Sequence, residues 1–189
     1  ALSPDICSPY DEKRIGINLG EASAYVVLSV DEKYPSVHLS GATNNDANHI
    51  SSPSRTGEGL FRSIDACLRV ADVKPYEIDF ISAHGTSSIY NDEMESIALD
   101  RMGLNDVPVN SFKAYVGHSL GASGLVETML GMISIENGFL AKSLGYENHG
   151  VSREINVLEE RKDVDVKYFL KTASGFGGCN STLLIDCKP

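Results

Sequence analysis

Apolar and polar positions change period several times along the chain, and each change marks an element. Over 15–30 (IGINLGEASAYVVLSV) a glycine-punctuated start gives way to a β-branched run, which predicts a buried strand entered through a turn. A second short strand is expected over 37–42, and the polar, turn-rich stretch 44–54 reads as a surface loop. Between 57 and 73, Leu60, Ile64, Leu68 and Val70 fall near helical spacing with charges between them, predicting a helix with one apolar face. The apolar run 78–83 predicts a strand, after which Asn91 or Asp92 is expected to cap a helix over 93–102 that Gly103 ends. Residues 107–112 read as a strand, and 125–136 as a largely apolar helix ending at Asn137 and Gly138. Finally, 166–173 and 181–187 read as two strands joined across 174–178 (SGFGG), a connection short enough to make them antiparallel. Strands alternating with helices predict a layered α/β fold whose sheet is mixed, mostly parallel, with a final antiparallel strand.

Composition narrows the class. The 189 residues are one domain's worth, 1–189, and 42% of them are hydrophobic, which excludes a disordered chain. The longest apolar runs, such as 24–28, fall far short of the ~20 residues that span a bilayer. A net charge of −10 argues against nucleic acid or an anionic membrane as partner. Cys7, Cys67, Cys179 and Cys187 lie too far apart for a Cys-x-x-Cys metal or redox pattern, and no signal-peptide pattern is present, so reduced thiols in a cytoplasm are expected. The chain opens on Ala1-Leu2-Ser3-Pro4 without Met and reads as the continuation of something longer.

Candidate chemistry sits where strands end, the position at which open α/β sheets build their sites. His84 follows one apolar strand in AHGTSS, and His118 follows another in KAYVGHSLGASG. Two neutral imidazole N–H groups aimed at one carbonyl oxygen would stabilise an enolate, and Lys113 nearby would depress their pKa values and keep them neutral. The competing reading makes each histidine a satisfied structural residue. A zinc site lacks a third ligand, because His38, His49 and His149 lie in loop-like sequence without ligand spacing, so no metal is expected. In SGFGG, Phe176 stands between small residues that permit positive φ, fit either for presenting a backbone N–H and a gating ring or for an ordinary hairpin turn.

Together the segments 83–96 (AHGTSSIYNDEMES), 110–127 (NSFKAYVGHSLGASGLVE) and 174–185 (SGFGGCNSTLLI), with 7–28 (CSPYDEKRIGINLGEASAYVVL), resemble the C-terminal half of the β-ketoacyl-acyl carrier protein synthases, condensing enzymes of the thiolase-like superfamily. The resemblance implies a layered α-β-α half-fold, with 1–42 ending the N-terminal half and 57–189 forming the C-terminal half proper. It also implies decarboxylative Claisen condensation of malonyl-ACP with an acyl thioester, as in fatty acid or polyketide-type elongation. His84 and His118 would hold the malonyl thioester and stabilise its enolate. Lys113 would be the active-site lysine, positioned by an ion pair with Glu95, while Phe176 would gate the pocket and Thr86 and Ser88 would bond the phosphopantetheine arm. Ser88 stands where Thr is usual and Ile89 where Pro is common. Glu127 would be a structural carboxylate.

No cofactor is bound directly on this reading; the substrate rides on the phosphopantetheine of acyl carrier protein. The family's nucleophilic Cys lies upstream of residue 7, and the four cysteines present read as structural, so this chain is expected to be inactive alone. The implied partners are acyl carrier protein, the missing N-terminal half and a second subunit in a homodimer or heterodimer. The alternative is a non-catalytic partner of the chain-length-factor kind. A thiolase using CoA esters is disfavoured by the Lys113 motif and the SGFGG turn. For docking an acidic carrier, only Lys13 with Arg14 and Arg161 with Lys162 form basic pairs, and both also read as solvated surface.

Overall fold

A computed structural model describes residues 2–30 and 39–188. The elements are β1 (Leu39–Asn45), α1 (Glu58–Ala71), β2 (Phe80–Ser82), α2 (Ile89–Arg101), β3 (Val109–Asn110), α3 (Lys113–Val116), α4 (Ser123–Glu136), β4 (Phe139–Leu140), β5 (Lys162–Asp163), β6 (Tyr168–Gly175) and β7 (Cys179–Asp186). Five strands form one sheet in the order β1-β7-β6-β2-β3, and β4 pairs with β5 separately. Parallel pairing is confined to β6-β2-β3; β7 is antiparallel both to β6 and to β1, so the last strand lies inside the sheet.

Alternation along the strands sends side chains to two cores, one on each face of the sheet. Ile81, Leu170 and Leu184 join the core that contains Leu60, Ile64 and Leu68 of α1 and Met94 and Leu99 of α2. Their neighbours Phe80, Phe169 and Ile185 face the other way, with Met132 and Ile135 of α4 packed over them. Phe80 and Phe169 stack with centroids 5.3 Å apart. A Cβ on Gly131 would come within 2.5 Å of the Phe169 ring, so α4 can approach β6 this closely only with glycine there. This is a helix–sheet–helix layering, and it buries both faces of β2, β6 and β7.

The departures from expectation have physical reasons. Residues 15–30 form no buried strand: Ile17 and Leu19 make isolated bridges to Leu2 and His118, and Tyr25, Val27, Leu28 and Val30 are exposed. A β-branched run needs neighbours on its edges, and among the described residues none ladders onto 21–30. The strand expected over 37–42 falls partly outside the described residues. Its described part opens β1, which pairs with β7 through Asn45 and so enters the expected loop. In α1 the buried face is completed by Cys67, while Val70 is exposed. Helix α2 begins four residues early, with Ser88 as its N-cap; Asp92 lies inside the first turn, where it is buried and accepts the N–H groups of Tyr10 and Thr86.

Candidate active site

Parallel pairing of β2 with β3 and β6 (Ser82 opposite Asn110 and Lys171) makes all three strands end at one edge. The chain leaves β2 into His84 and leaves β3 into Lys113, so residues 29 apart meet by topology alone. The turn at Gly85 (φ +40°) presses against Ser111 and Tyr10, where a Cβ would lie 2.6 Å from Ser111 Cβ. Glu95 of α2 fixes this turn: its carboxylate accepts N–H groups from His84 (2.9 Å) and Gly85 (2.6 Å), and hydroxyls from Tyr10 (2.9 Å) and Thr172 (3.0 Å). His118 follows α3, its backbone bonded to Asn18 and Gly20. The two imidazoles end 5.1 Å apart, centroid to centroid, at 81° to one another.

Lys113 is buried, and its ammonium donates to Glu127 Oε1 (2.6 Å) and His84 O (2.5 Å) and lies 3.2 Å from His84 Nδ1. This corrects the expected Glu95–Lys113 pair. Glu95 spends its oxygens on the His84 turn, while α4 delivers Glu127 to the lysine from the opposite layer. Lys171 of β6, which sequence reasoning missed, places a second buried ammonium 2.6 Å from Glu127 Oε2. A charged residue following Phe169 and Leu170 in the middle of an expected strand was the available signal.

The hydrogen-bond network assigns the tautomers. Leu120 N–H donates to His118 Nδ1 (3.3 Å), which also lies 2.8 Å from Ser123 Oγ, and the Lys113 ammonium faces His84 Nδ1. Both Nδ1 atoms are therefore acceptors, so each neutral ring carries its proton on Nε2. Burial, then the Lys113 and Lys171 charges, hold His84 well below the usual histidine range. Burial and Lys113 bring His118 down to about 4, against the pull of Glu127. Burial pushes Glu127 upward, but Lys171 and Lys113 outweigh it, and the carboxyl stays ionised. At neutral pH the site thus presents two N–H donors backed by fixed charge.

A pH dependence follows. His118 is protonated around its ordinary 6.5 in the unfolded chain and is brought down to about 4 in the folded one, so between those values the unfolded state binds more protons and stability falls as pH falls. In urea denaturation, H118Q is expected to show a shallower loss of stability across this interval than the wild type. Equal slopes would contradict the assignment.

The remaining candidates are placed as follows. Thr86 is buried, its hydroxyl 2.8 Å from that of half-buried Ser88. Phe176 is 85% exposed at the β6–β7 turn, on the same sheet edge as the histidines, and Gly177 and Gly178 after it need their positive φ of 84° and 76°. Cys7 and Cys67 are buried and their thiols pushed up by burial; burial and neighbouring carboxylates push Cys187 to about 11; Cys179 is exposed. Among the described residues no group of three His, Cys, Asp or Glu is placed to hold a metal, and His38 lies outside them. Arg14 corrects one docking pair, because it is buried and donates to the Asp11 and Gly150 carbonyls. No helix among the described residues is long and apolar enough to cross a membrane.

The chain is 31% identical over 188 residues to 3-oxoacyl-(acyl-carrier-protein) synthase I, chloroplastic, of Hordeum vulgare, covering 94% of this chain and 41% of that protein. It is equally 31% identical to 3-oxoacyl-(acyl-carrier-protein) synthase 2 of Rhizobium meliloti (strain 1021), covering 94% and 44%. A chain of the solved complex of ketosynthase ApeO with its chain length factor ApeC, from Xenorhabdus doucetiae, superposes with a TM-score of 0.85 at 27% identity, over 98% of this chain and 47% of that one. The chain therefore spans less than half the length of these relatives. The family described as beta-ketoacyl synthase, C-terminal domain, matches residues 34–147, more than half of the chain, and the chain belongs to that family.

Proposed function

We propose that this chain carries the malonyl-decarboxylating side of a β-ketoacyl-ACP synthase active in fatty acid or polyketide-type elongation. The observation that carries the reading is the pair of neutral imidazoles 5.1 Å apart, both with Nδ1 engaged as an acceptor. A malonyl thioester whose carbonyl oxygen accepts the two Nε2–H bonds is set up to lose carbon dioxide. As the C–C bond breaks, its electron pair moves onto the thioester as an enolate, and charge develops on the oxygen the two donors face. The enolate carbon then attacks an acyl thioester, expelling the thiolate that held it.

Lys113 and Glu95 are positioning residues here, one holding the His84 ring and the other its backbone. Thr86 and Ser88 would meet the phosphopantetheine arm of acyl carrier protein, and Phe176 would gate the acyl pocket. The acyl-bearing thiol is assigned to residues outside these 189: Cys7 and Cys67 are buried with raised pKa values, burial and neighbouring carboxylates push Cys187 up to about 11, and Cys179, though exposed, opens strand β7 and does not stand at a strand-to-helix turn. The boundary expected after residue 42 is drawn instead before β1, whose Leu39–Asn45 pairs with β7 in this sheet; the residues ahead of it are assigned to the close of the other half and 57–189 to this one. The partners are that half, acyl carrier protein and a second subunit, in a cytoplasm where thiols stay reduced. A non-catalytic partner subunit has no use for two neutral donors backed by a buried lysine, which favours the enzyme reading.

The test is release of labelled carbon dioxide from malonyl-ACP by the full-length protein with any subunit it requires. Release is expected, whereas the 189-residue chain alone takes up no acyl group from a radiolabelled acyl thioester. No release by the full-length protein, or acylation of the chain alone, would overturn the proposal.

A further inference from the structure

Two buried ammonium groups share one carboxylate behind the histidines. Glu127 gives Oε1 to Lys113 and Oε2 to Lys171, each at 2.6 Å, and all three side chains are at most 3% exposed. Lys171 also donates toward Ser82 O (3.2 Å), Ala83 O (3.2 Å) and Thr172 O (2.7 Å), while Lys113 donates to His84 O. Three consecutive carbonyls, those of residues 82, 83 and 84, are thus gripped by two cations that a carboxylate ties together. One lysine would neutralise Glu127. The second leaves a fixed positive charge in a dry site, an arrangement that is expensive unless something uses it.

We propose that Lys171 is a positioning residue for the histidine pair: by completing the Lys113–Glu127–Lys171 bridge it fixes the strand end that carries His84 and keeps both imidazoles unprotonated. The role deepens the decarboxylase reading and rests on it only for its catalytic consequence. Protonating either ring would put an Nδ1–H against the donor it now accepts from: the Lys113 ammonium at His84, the Leu120 N–H at His118. The groups facing His84 are Lys113 from α3, Glu127 from α4, Lys171 from β6, His118, and Glu95 from α2, which meets it through the backbone N–H and also holds the Tyr10 hydroxyl. Asp92 lies one turn before Glu95, and Cys7 is the nearby thiol. Whatever these sum to, removing Lys171 changes the local charge by one unit in the negative direction, so the sign of the effect on both rings is fixed. Burial dominates the depressed histidine values, with Lys171 contributing in the same direction at both rings.

The experiment compares wild type, K171M, K171Q and K171R of the full-length protein. Imidazole NMR titration gives the protonation midpoints of His84 and His118, and malonyl decarboxylation is followed against pH. In K171M and K171Q both midpoints are expected to rise by about half a pH unit or more, the scale of losing one nearby charge. The acid limb of the rate profile should move up with them, while K171R, which keeps the charge, restores the wild-type values. A residue that served only the fold would lower stability or rate at every pH without moving either midpoint. Unshifted midpoints in a folded K171M or K171Q overturn the proposal, as does failure of both to fold under conditions where K171R folds. A wild type that releases no carbon dioxide sinks the decarboxylase reading alone, because the titration still decides Lys171.

Discussion

His118→Ala lowers malonyl decarboxylation by the full-length protein about 100-fold or more, and His84→Ala does the same. Removing one preorganised donor from an oxyanion site costs roughly 10²–10³ in rate, or about 3–4 kcal/mol of transition-state stabilisation. The structure meets the conditions for that scale: the rings are close, neutral, and oriented through Nδ1 by Leu120, Ser123 and Lys113, so little reorganisation is needed as charge develops. The loss should fall on kcat more than on KM, because the ground-state carbonyl carries little of the charge the donors answer. His118 is the cleaner site, its ring half-buried and its backbone held independently by Asn18 and Gly20, so the alanine variant keeps the fold. Glutamine, whose Nε2 can carry an N–H to nearly the imidazole Nε2 position, should retain more activity than alanine. Undiminished carbon dioxide release in either alanine variant would remove the histidines from the role assigned to them.

How far the sequence foretold this site depends on which interactions leave a trace in its pattern. His84 was legible because it follows a short apolar run, and Lys113 because it stands five residues before His118; strands that pair in parallel bring the two together. The hairpin 174–178 was legible from its glycines. The partner of Lys113 was not. Helix α2 buries Asp92, Glu95 and Ser96 alongside Met94, Ala98 and Leu99, so its polar residues mark no solvent face and its rotation cannot be read from hydrophobicity. Glu95 stands before Lys113 and Glu127 after it at comparable sequence distances, and only the two-layer packing aims one at the lysine and the other at the His84 turn. Lys171 was hidden for the opposite reason: a single charge in a strand buried on both faces reads as an interruption until its counter-ion is seen. The stretch 15–30 has strand composition, yet composition does not supply an edge to pair with.

Glu127→Gln is expected to destabilise the protein by about 3–5 kcal/mol, the range for removing one partner from a buried ion pair. In the wild type the carboxylate satisfies two ammonium groups that are 1% and 3% exposed. Glutamine keeps the volume and one acceptor oxygen but leaves both positive charges facing each other without compensation. The pH course separates this from simple loss of packing. In the wild type the Glu127 pKa is depressed, so its stabilisation is present above the unfolded value of 4.5 and is lost as pH falls through the lower folded value. In E127Q the cheapest relief is for one lysine to give up its proton. Lys113 is already pulled below its usual range by burial and by Lys171, so the deficit should shrink at alkaline pH. Replacing Lys113 as well (K113M/E127Q) leaves one buried ammonium instead of two, and the double variant should therefore be more stable than E127Q alone even though it has lost more native contacts. Denaturant midpoints at neutral and alkaline pH check all three expectations. An E127Q variant within about 0.5 kcal/mol of wild type, the scatter of an inconsequential surface change, would mean that the carboxylate does not hold the two lysines together.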